Sequence, residues 1–352
     1  MTTPSSDVVQ ERTAARGGFA RLLFSFRPEE VATLLLFVPM AYALGSIAAF
    51  GGGMPLQGAA ANYPDAFTRL VCLAGSVVVF LWVVRTKPQW TFARDVLPFL
   101  FATNVYANLH DMIAFFNAPD ITRPLHDWDV KLFGVEPTVW AQQFAHPLLT
   151  DFFTVCYWLF YVLPPLLGLL LYLRGEWQSF RETLVSIVIC LYIGYIGYVV
   201  LPAGPPRYMI PELFGAPLQG MLPILDATRA ATAAVPLTAK GAFPSLHCGV
   251  MFLAILLSWR HLRWFFPGML FFGVGLIVGT VYLRHHWVFD ILAGIALAIV
   301  ADRIAPPLER WWAARAARYG VAPGGAFRSK EATTEAARID ATTKSETPIG
   351  IL

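Results

Sequence analysis

The chain has 352 residues, 57% of them hydrophobic and only 14% charged, with a mean hydropathy of +0.56. Soluble domains carry about a quarter charged residues, so this composition excludes an ordinary soluble protein and points to a membrane. A net charge of +3 excludes a charge-driven nucleic-acid partner.

Met1 to Gly18 is polar and lacks an apolar core, so it reads as part of a cytoplasmic leader (1–30) and not as a cleavable signal. Apolar blocks follow at roughly 31–50, 68–84, 96–116, 151–173, 182–201, 248–265, 266–283 and 287–304. Each is near the ~20 residues that a helical span needs. The expected fold class is therefore all-α, a polytopic membrane helix bundle of about eight transmembrane helices. The third block is unusually polar, with Asn104, Asn108, His110 and Asp111, and reads as an interhelical hydrogen-bonding seam, with a wall of the headgroup pocket as the alternative. Thr138–Phe144, with Trp140, reads as a short amphipathic interfacial helix. Trp311 and Trp312, flanked by Arg310 and Arg315, read as an interfacial anchor, and the tail from about Gly320 as disordered. Cys72, Cys156, Cys190 and Cys248 lie in or beside apolar blocks, form no CxxC pair, and read as buried thiols.

Loop charge sets the orientation. Of the 26 Lys and Arg residues, 19 fall in the N-terminus, 85–95, 174–181, 259–265 and the C-terminus. That side is expected to be cytoplasmic, with both termini inside. The loops at 202–247 and 284–286 then face the periplasm or a lumen.

Those outward loops hold the reactive side chains. The first segment is Gly241-Ala242-Phe243-Pro244-Ser245-Leu246-His247; the second is Tyr282-Leu283-Arg284-His285-His286-Trp287-Val288-Phe289-Asp290, with Gly294 beyond. His286 and Asp290 are four residues apart, a spacing that puts them on one helix face. A carboxylate there can hold the Nδ1 proton and leave Nε2 as a nucleophile. Asp290 inside an apolar span also demands a specific partner. Ser245 suits a helix cap or a phosphate contact, and His247 a general acid and base. A transferring phosphoryl group needs cations. Arg207 is the strongest candidate, with Arg284 and Lys240 weaker. Tyr282, His285 and Asp129 are candidate pocket residues. No metal site and no cofactor are read from the sequence.

Pro244-Ser245-Leu246-His247 and His286-x-x-x-Asp290-x-x-x-Gly294 resemble the second and third signature motifs of the type-2 phosphatidic acid phosphatase superfamily. The flanking residues, and Asp129-x-x-Leu132-Phe133-Gly134-x-x-Pro137, resemble its branch of fungal inositol phosphorylceramide synthase and bacterial relatives. The resemblance covers 96–304 and implies a six-helix catalytic core. Two additional helices (31–95) precede it, and a basic segment with a tail (305–352) follows. It also implies a metal-independent phosphohistidine mechanism, with His286 as nucleophile, Asp290 orienting it, His247 as proton donor and Ser245 on the phosphate. The family's first motif, Lys-x6-Arg-Pro, is absent; Pro205-Pro206-Arg207 stands in its place. Thr280 stands where the third motif usually has arginine. The leading expectation is a lipid phosphotransferase moving a phospho-headgroup, such as phosphoinositol, from a phospholipid donor to a lipid hydroxyl. A phosphatase with water as acceptor is the alternative. An ion or proton transporter using the His/Asp cluster is the reading from another class.

Overall fold

Backbone inside hydrocarbon must satisfy its own hydrogen bonds, which a helix does residue by residue. The structure, a computed structural model, describes residues 18–51, 65–87, 90–233 and 240–321. Among these the regular structure is helical, with one isolated bridge between Ala203 and Gly241. The main helices are α1 (Pro28–Phe50), α2 (Ala66–Thr86), α3 (Thr91–Phe116), α4 (Thr122–Phe133), α5 (Pro147–Trp158), α6 (Leu163–Leu173), α7 (Trp177–Val200), α8 (Ile224–Ala233), α9 (Leu246–His261), α10 (Phe266–Tyr282) and α11 (Val288–Arg318).

Every apolar block falls in or across these helices. α1, α2 and α7 are each long and apolar enough to cross a bilayer. The fourth block is a broken span, in which Pro147–Tyr161 and α6 meet at 44°. Pro164 and Pro165 restart the chain just after the break, where a helix has no use for their missing N–H groups. α9 and α10 are apolar but shorter, at 16 and 17 residues. Apolar side chains such as Leu35, Val38, Val78, Val79 and Val278 stand exposed on these helices, as a bundle solvated by lipid requires. The interfacial stretch forms the turn Pro137–Ala141 and a 3-10 turn to Phe144, with Trp140 and Phe144 exposed.

The structure corrects three expectations at the ends. The leader expected over 1–30 is helical over 18–25, and Phe24 and Phe26 are buried; residues 1–17 lie outside the described residues. α11 does not stop at 304 but runs through Pro306 and Pro307 to Arg318. Trp312 is then no interfacial anchor: it is buried, and its Nε1 donates to the Phe26 carbonyl at 2.8 Å. The expected tail lies outside the described residues beyond Val321. Cys72 is exposed, whereas the other three thiols are buried.

α7 packs against α3, α6, α9 and α11, and α1 packs on α2 and α3. Arg69 of α2 donates to Asn108 at 3.1 Å and pairs with Asp111, so the polar face of α3 is an interhelical seam. At the opposite end of α3 a buried ionic cluster joins four helices. Arg27 binds Asp95 at 2.5 Å, Arg94 grips Glu30 through two bonds of 2.8 and 2.5 Å, and Arg181 grips Glu29 at 2.6 and 3.0 Å and pairs with Glu309.

Candidate active site

Three loop segments converge where α9 and α11 begin, and backbone bonds lock them together. Ala203 N donates to Lys240 O and Ala242 N to Ala203 O, each at 2.9 Å. Arg207 N donates to Arg284 O at 3.1 Å, and the buried Trp287 indole donates to Gly204 O at 2.9 Å. Ser245 N donates to Asp290 O at 2.9 Å, joining the two motif segments directly. Such an approach needs glycine. A Cβ on Gly294 would lie 2.2 Å from Ser245 O, and one on Gly249 would lie 2.7 Å from Gly294 O. Gly294 therefore serves the motif by letting α11 touch the start of α9.

His286 Nδ1 lies 3.3 Å from Asp290 Oδ2, with both residues buried. The pair does not meet through helical spacing, because α11 starts only at Val288. Instead Asp290 folds back over the helix start, where Oδ2 also accepts from Trp287 N at 3.0 Å. The His247 and His286 rings lie 5.8 Å apart. Burial, then the His247 and Arg207 neighbours, push His286 well below the usual histidine range. Burial and Arg207 do the same to His285. Both imidazoles are thus neutral near pH 7, the state a nucleophile needs.

Arg207 is the guanidinium of this cluster. It bonds to His285 Nδ1, and its charge acts on His286 and His247. Arg207 Nε, His247 Nδ1 and Asp290 Oδ1 are three of the twelve buried side-chain atoms among the described residues that have no hydrogen-bond partner, and these three fall together at the site. Buried polar atoms of that kind are rare and call for a ligand or a catalytic task. Ser245 caps α9, accepting from Cys248 N at 3.3 Å.

Four expected site residues sit elsewhere or do other work. Lys240 pairs with Asp120, so its charge is already matched. Arg284 donates to Ala216 O at 3.0 Å and lies over the Phe214 ring, 4.0 Å from its centroid. Tyr282 braces α10 against α5, with its hydroxyl 2.8 Å from Thr150 Oγ1 and 3.1 Å from His146 N. Asp129 accepts from Val288 N at 2.7 Å and Phe289 N at 3.1 Å, capping α11 from α4. Thr280 is buried, bonded to Ile277 O and 3.4 Å from Cys248 Sγ, so an arginine there would have to wedge between α9 and α10.

One site residue escaped the sequence reading. The Tyr157 hydroxyl lies 3.1 Å from His247 Nε2, and its ring sits 4.8 Å from His247 and 4.6 Å, stacked, from His285. Nothing local distinguishes it from the other aromatics of its apolar block.

With both histidines, the aspartate and the capping serine brought together in this order, the comparison with known families is decisive. Residues 123–304, just over half the chain, match the PAP2 superfamily. This chain belongs to that superfamily. The PAP2 match begins within α4, so α1, α2 and α3 lie outside it. A curated relative, phosphoinositol dihydroceramide synthase of Bacteroides thetaiotaomicron, is 27% identical over 205 residues, covering 50% of this chain. The aligned region spans 64% of that relative, just under two thirds of its length. No solved structure matches the chain.

Proposed function

We propose that this PAP2 protein is a lipid phosphotransferase working through a phosphohistidine on His286. The carrying observation is the neutral, buried His286 held by Asp290 and facing His247 across 5.8 Å, with Arg207 beside them. Asp290 holds the imidazole proton at Nδ1, and the Nε2 lone pair attacks phosphorus. The bond from phosphorus to the lipid oxygen breaks as His247 gives that oxygen a proton. His247 then takes a proton from the acceptor hydroxyl, whose oxygen attacks the phosphohistidine and frees His286. Arg207, together with the N–H groups at the start of α9, balances charge on the phosphoryl oxygens.

The name of the curated relative supports a phosphoinositol headgroup and a ceramide-type hydroxyl as acceptor. Loop charge supports cytoplasmic termini, with the histidines on the outer face of the membrane. Incubating purified protein with headgroup-labelled phosphatidylinositol is expected to give an acid-labile labelled protein, and a labelled sphingolipid once ceramide is added. His286→Ala abolishes both, and EDTA leaves both unchanged. Label surviving in His286→Ala sinks the nucleophile assignment, and release of labelled inositol phosphate alone, with no sphingolipid product, makes water the acceptor and the protein a hydrolase.

A further inference from the structure

A cavity of about 530 Å³ runs from the histidines down the bundle. His247, Phe160 and Tyr106 line one end; Phe92, Asp95, Tyr172 and Phe180 line the other. It lies in the gap between α3 and α6, which flank α7. The gap is shut at its far end, where the Phe92 and Tyr172 rings meet edge to face at 5.3 Å and Tyr172 meets Phe180 at 5.3 Å. Along its side Tyr106, Tyr161 and Leu169 are exposed, so the gap opens onto the lipid-facing surface.

We propose that this groove holds an alkyl chain of the lipid that donates the phospho-headgroup, and that its aromatic floor sets the longest chain accepted. The proposal rests on the phosphotransfer reading only for the identity of the lipid. Two independent rulers give the depth. Tyr106 and Phe92 are fourteen residues apart on α3. Gly194, packed on Leu246 beside His247, is fourteen residues from Phe180 on α7. At 1.5 Å per residue both give about 21 Å. An extended alkyl chain advances about 1.25 Å per carbon, from a bond of about 1.5 Å at about 111°. The groove therefore accommodates about sixteen carbons between His247 and the floor. His247, which serves the donor and acceptor oxygens in turn, is itself part of the wall, and the donor is the occupant we assign because it must bind before any phosphohistidine exists for an acceptor to attack.

Groove and bilayer are equally apolar, so the groove gains little affinity from burying a chain. Its effect is alignment and exclusion, which read out as position and length preference. Gly168 lines the wall, and a Cβ there would meet only Phe180, at 3.9 Å; a larger side chain fits locally and fills the groove. Seven of the 24 lining residues come from α3, which lies outside the PAP2 match, and the rest come from within it.

The test places full-length protein in nanodiscs carrying phosphatidylinositol, phosphatidate or ceramide with a terminal diazirine on one chain of eight, sixteen or twenty carbons. Crosslinked peptides are mapped after photolysis. The sixteen-carbon donors are expected to label Phe92, Val96 or Tyr172, and the eight-carbon donors Phe99 or Ile187, halfway down. Twenty-carbon donors label the floor severalfold less until Tyr172→Ala opens it, and Gly168→Leu moves the sixteen-carbon label toward His247. Labelling confined to lipid-facing Leu35 and Val78, or the same for every chain length, overturns the groove. Floor labelling by ceramide alone overturns the donor assignment. Phosphoenzyme formation is measured in the same samples. Floor labelling without any phosphoenzyme sinks the phosphotransfer reading alone, and phosphoenzyme with only exterior labelling sinks the groove alone.

Discussion

Arg207 and Arg284 both sit in loops beside the histidines, and their backbones separate their roles. Arg284 has φ 63°, the left-handed region. Its N–H bonds Val281 O at 3.0 Å while His285 N bonds Thr280 O at 2.8 Å, a Schellman ending for α10 with Arg284 at the position glycine usually takes. That conformation costs a non-glycine residue about 1–2 kcal/mol. Arg284→Gly is therefore expected to keep turnover within about tenfold while relieving that cost, whereas Arg207→Ala loses about 10²–10³ in kcat, the scale of one transition-state donor. Steady-state kinetics on both variants checks this, and equal losses would reject the assignment. The histidines make a second prediction. His285 and His286 are held neutral in the fold by burial, with the Arg207 charge adding to it. Unfolded, each takes up a proton below about pH 6.5. Their folded values are depressed, so the fold keeps its full stability above that pH. As pH falls below it, stability drops by up to about 1.4 kcal/mol per pH unit for each histidine. Thermal melts in detergent are expected to show Tm falling from pH 7 toward pH 5, and replacing both histidines with asparagine flattens the trend. A wild-type Tm flat across that window contradicts buried neutral imidazoles.

At the scale of elements, the start of α11 decides the geometry of the site, and Asp129 decides the start of α11. Its two oxygens take the Val288 and Phe289 N–H groups, which no residue of α11 can satisfy. Asp129→Ala is expected to cost about 1–2 kcal/mol and to lower activity as well, because Asp290 sits in the freed turn. Asp129→Asn, which retains an acceptor, recovers most of both. If asparagine fares no better than alanine in melts and assays, the carboxylate has a role other than capping. This contact also shows where the sequence was legible. Hydropathy marked where helices form, because local composition records apolar surroundings; of these, α1, α2, α7 and the bent pair ending in α6 are long and apolar enough to cross a bilayer. The His-x-x-x-Asp spacing marked a real pair, although it meets through a folded-back carboxylate before α11 and not along a helix face. Asp129 was legible as a pocket candidate, Trp312 as an interfacial anchor and Tyr157 only as a residue type, none with its partner. Each acts on a partner far away in the chain, Val288, His247 and Phe26, and single-chain periodicity carries no term for such pairs. The reach of α11 past 304, through Pro306 and Pro307, was hidden for a similar reason: it is supported by packing of Trp312 on Phe24 and its bond to the Phe26 carbonyl.

For the whole molecule, the question is whether α1 and α2 are an appendage to a PAP2 unit or part of it. The match to the superfamily begins at 123, which suggests an appendage; the ionic cluster argues the opposite. Arg94 and Asp95 on α3 and Arg181 on α7 find Glu30, Arg27 and Glu29 at the start of α1, and Arg181 also pairs with Glu309 on α11. Arg27, Glu29, Glu30 and Arg94 are all almost completely buried. Removing one partner from a buried pair costs about 3–5 kcal/mol, since the remaining charge stays desolvated. Losing α1 removes partners from at least three pairs at once, a cost comparable with the 5–15 kcal/mol that holds a whole domain together. A chain lacking residues 1–90 is therefore expected to aggregate on extraction although every motif residue is present. Supplying 1–90 as a separate polypeptide should restore a monodisperse peak in size-exclusion chromatography and phosphoenzyme formation, because the partners return without the covalent link. A truncated chain that is monodisperse and active by itself would show that the cluster is dispensable and that the catalytic unit starts at α3.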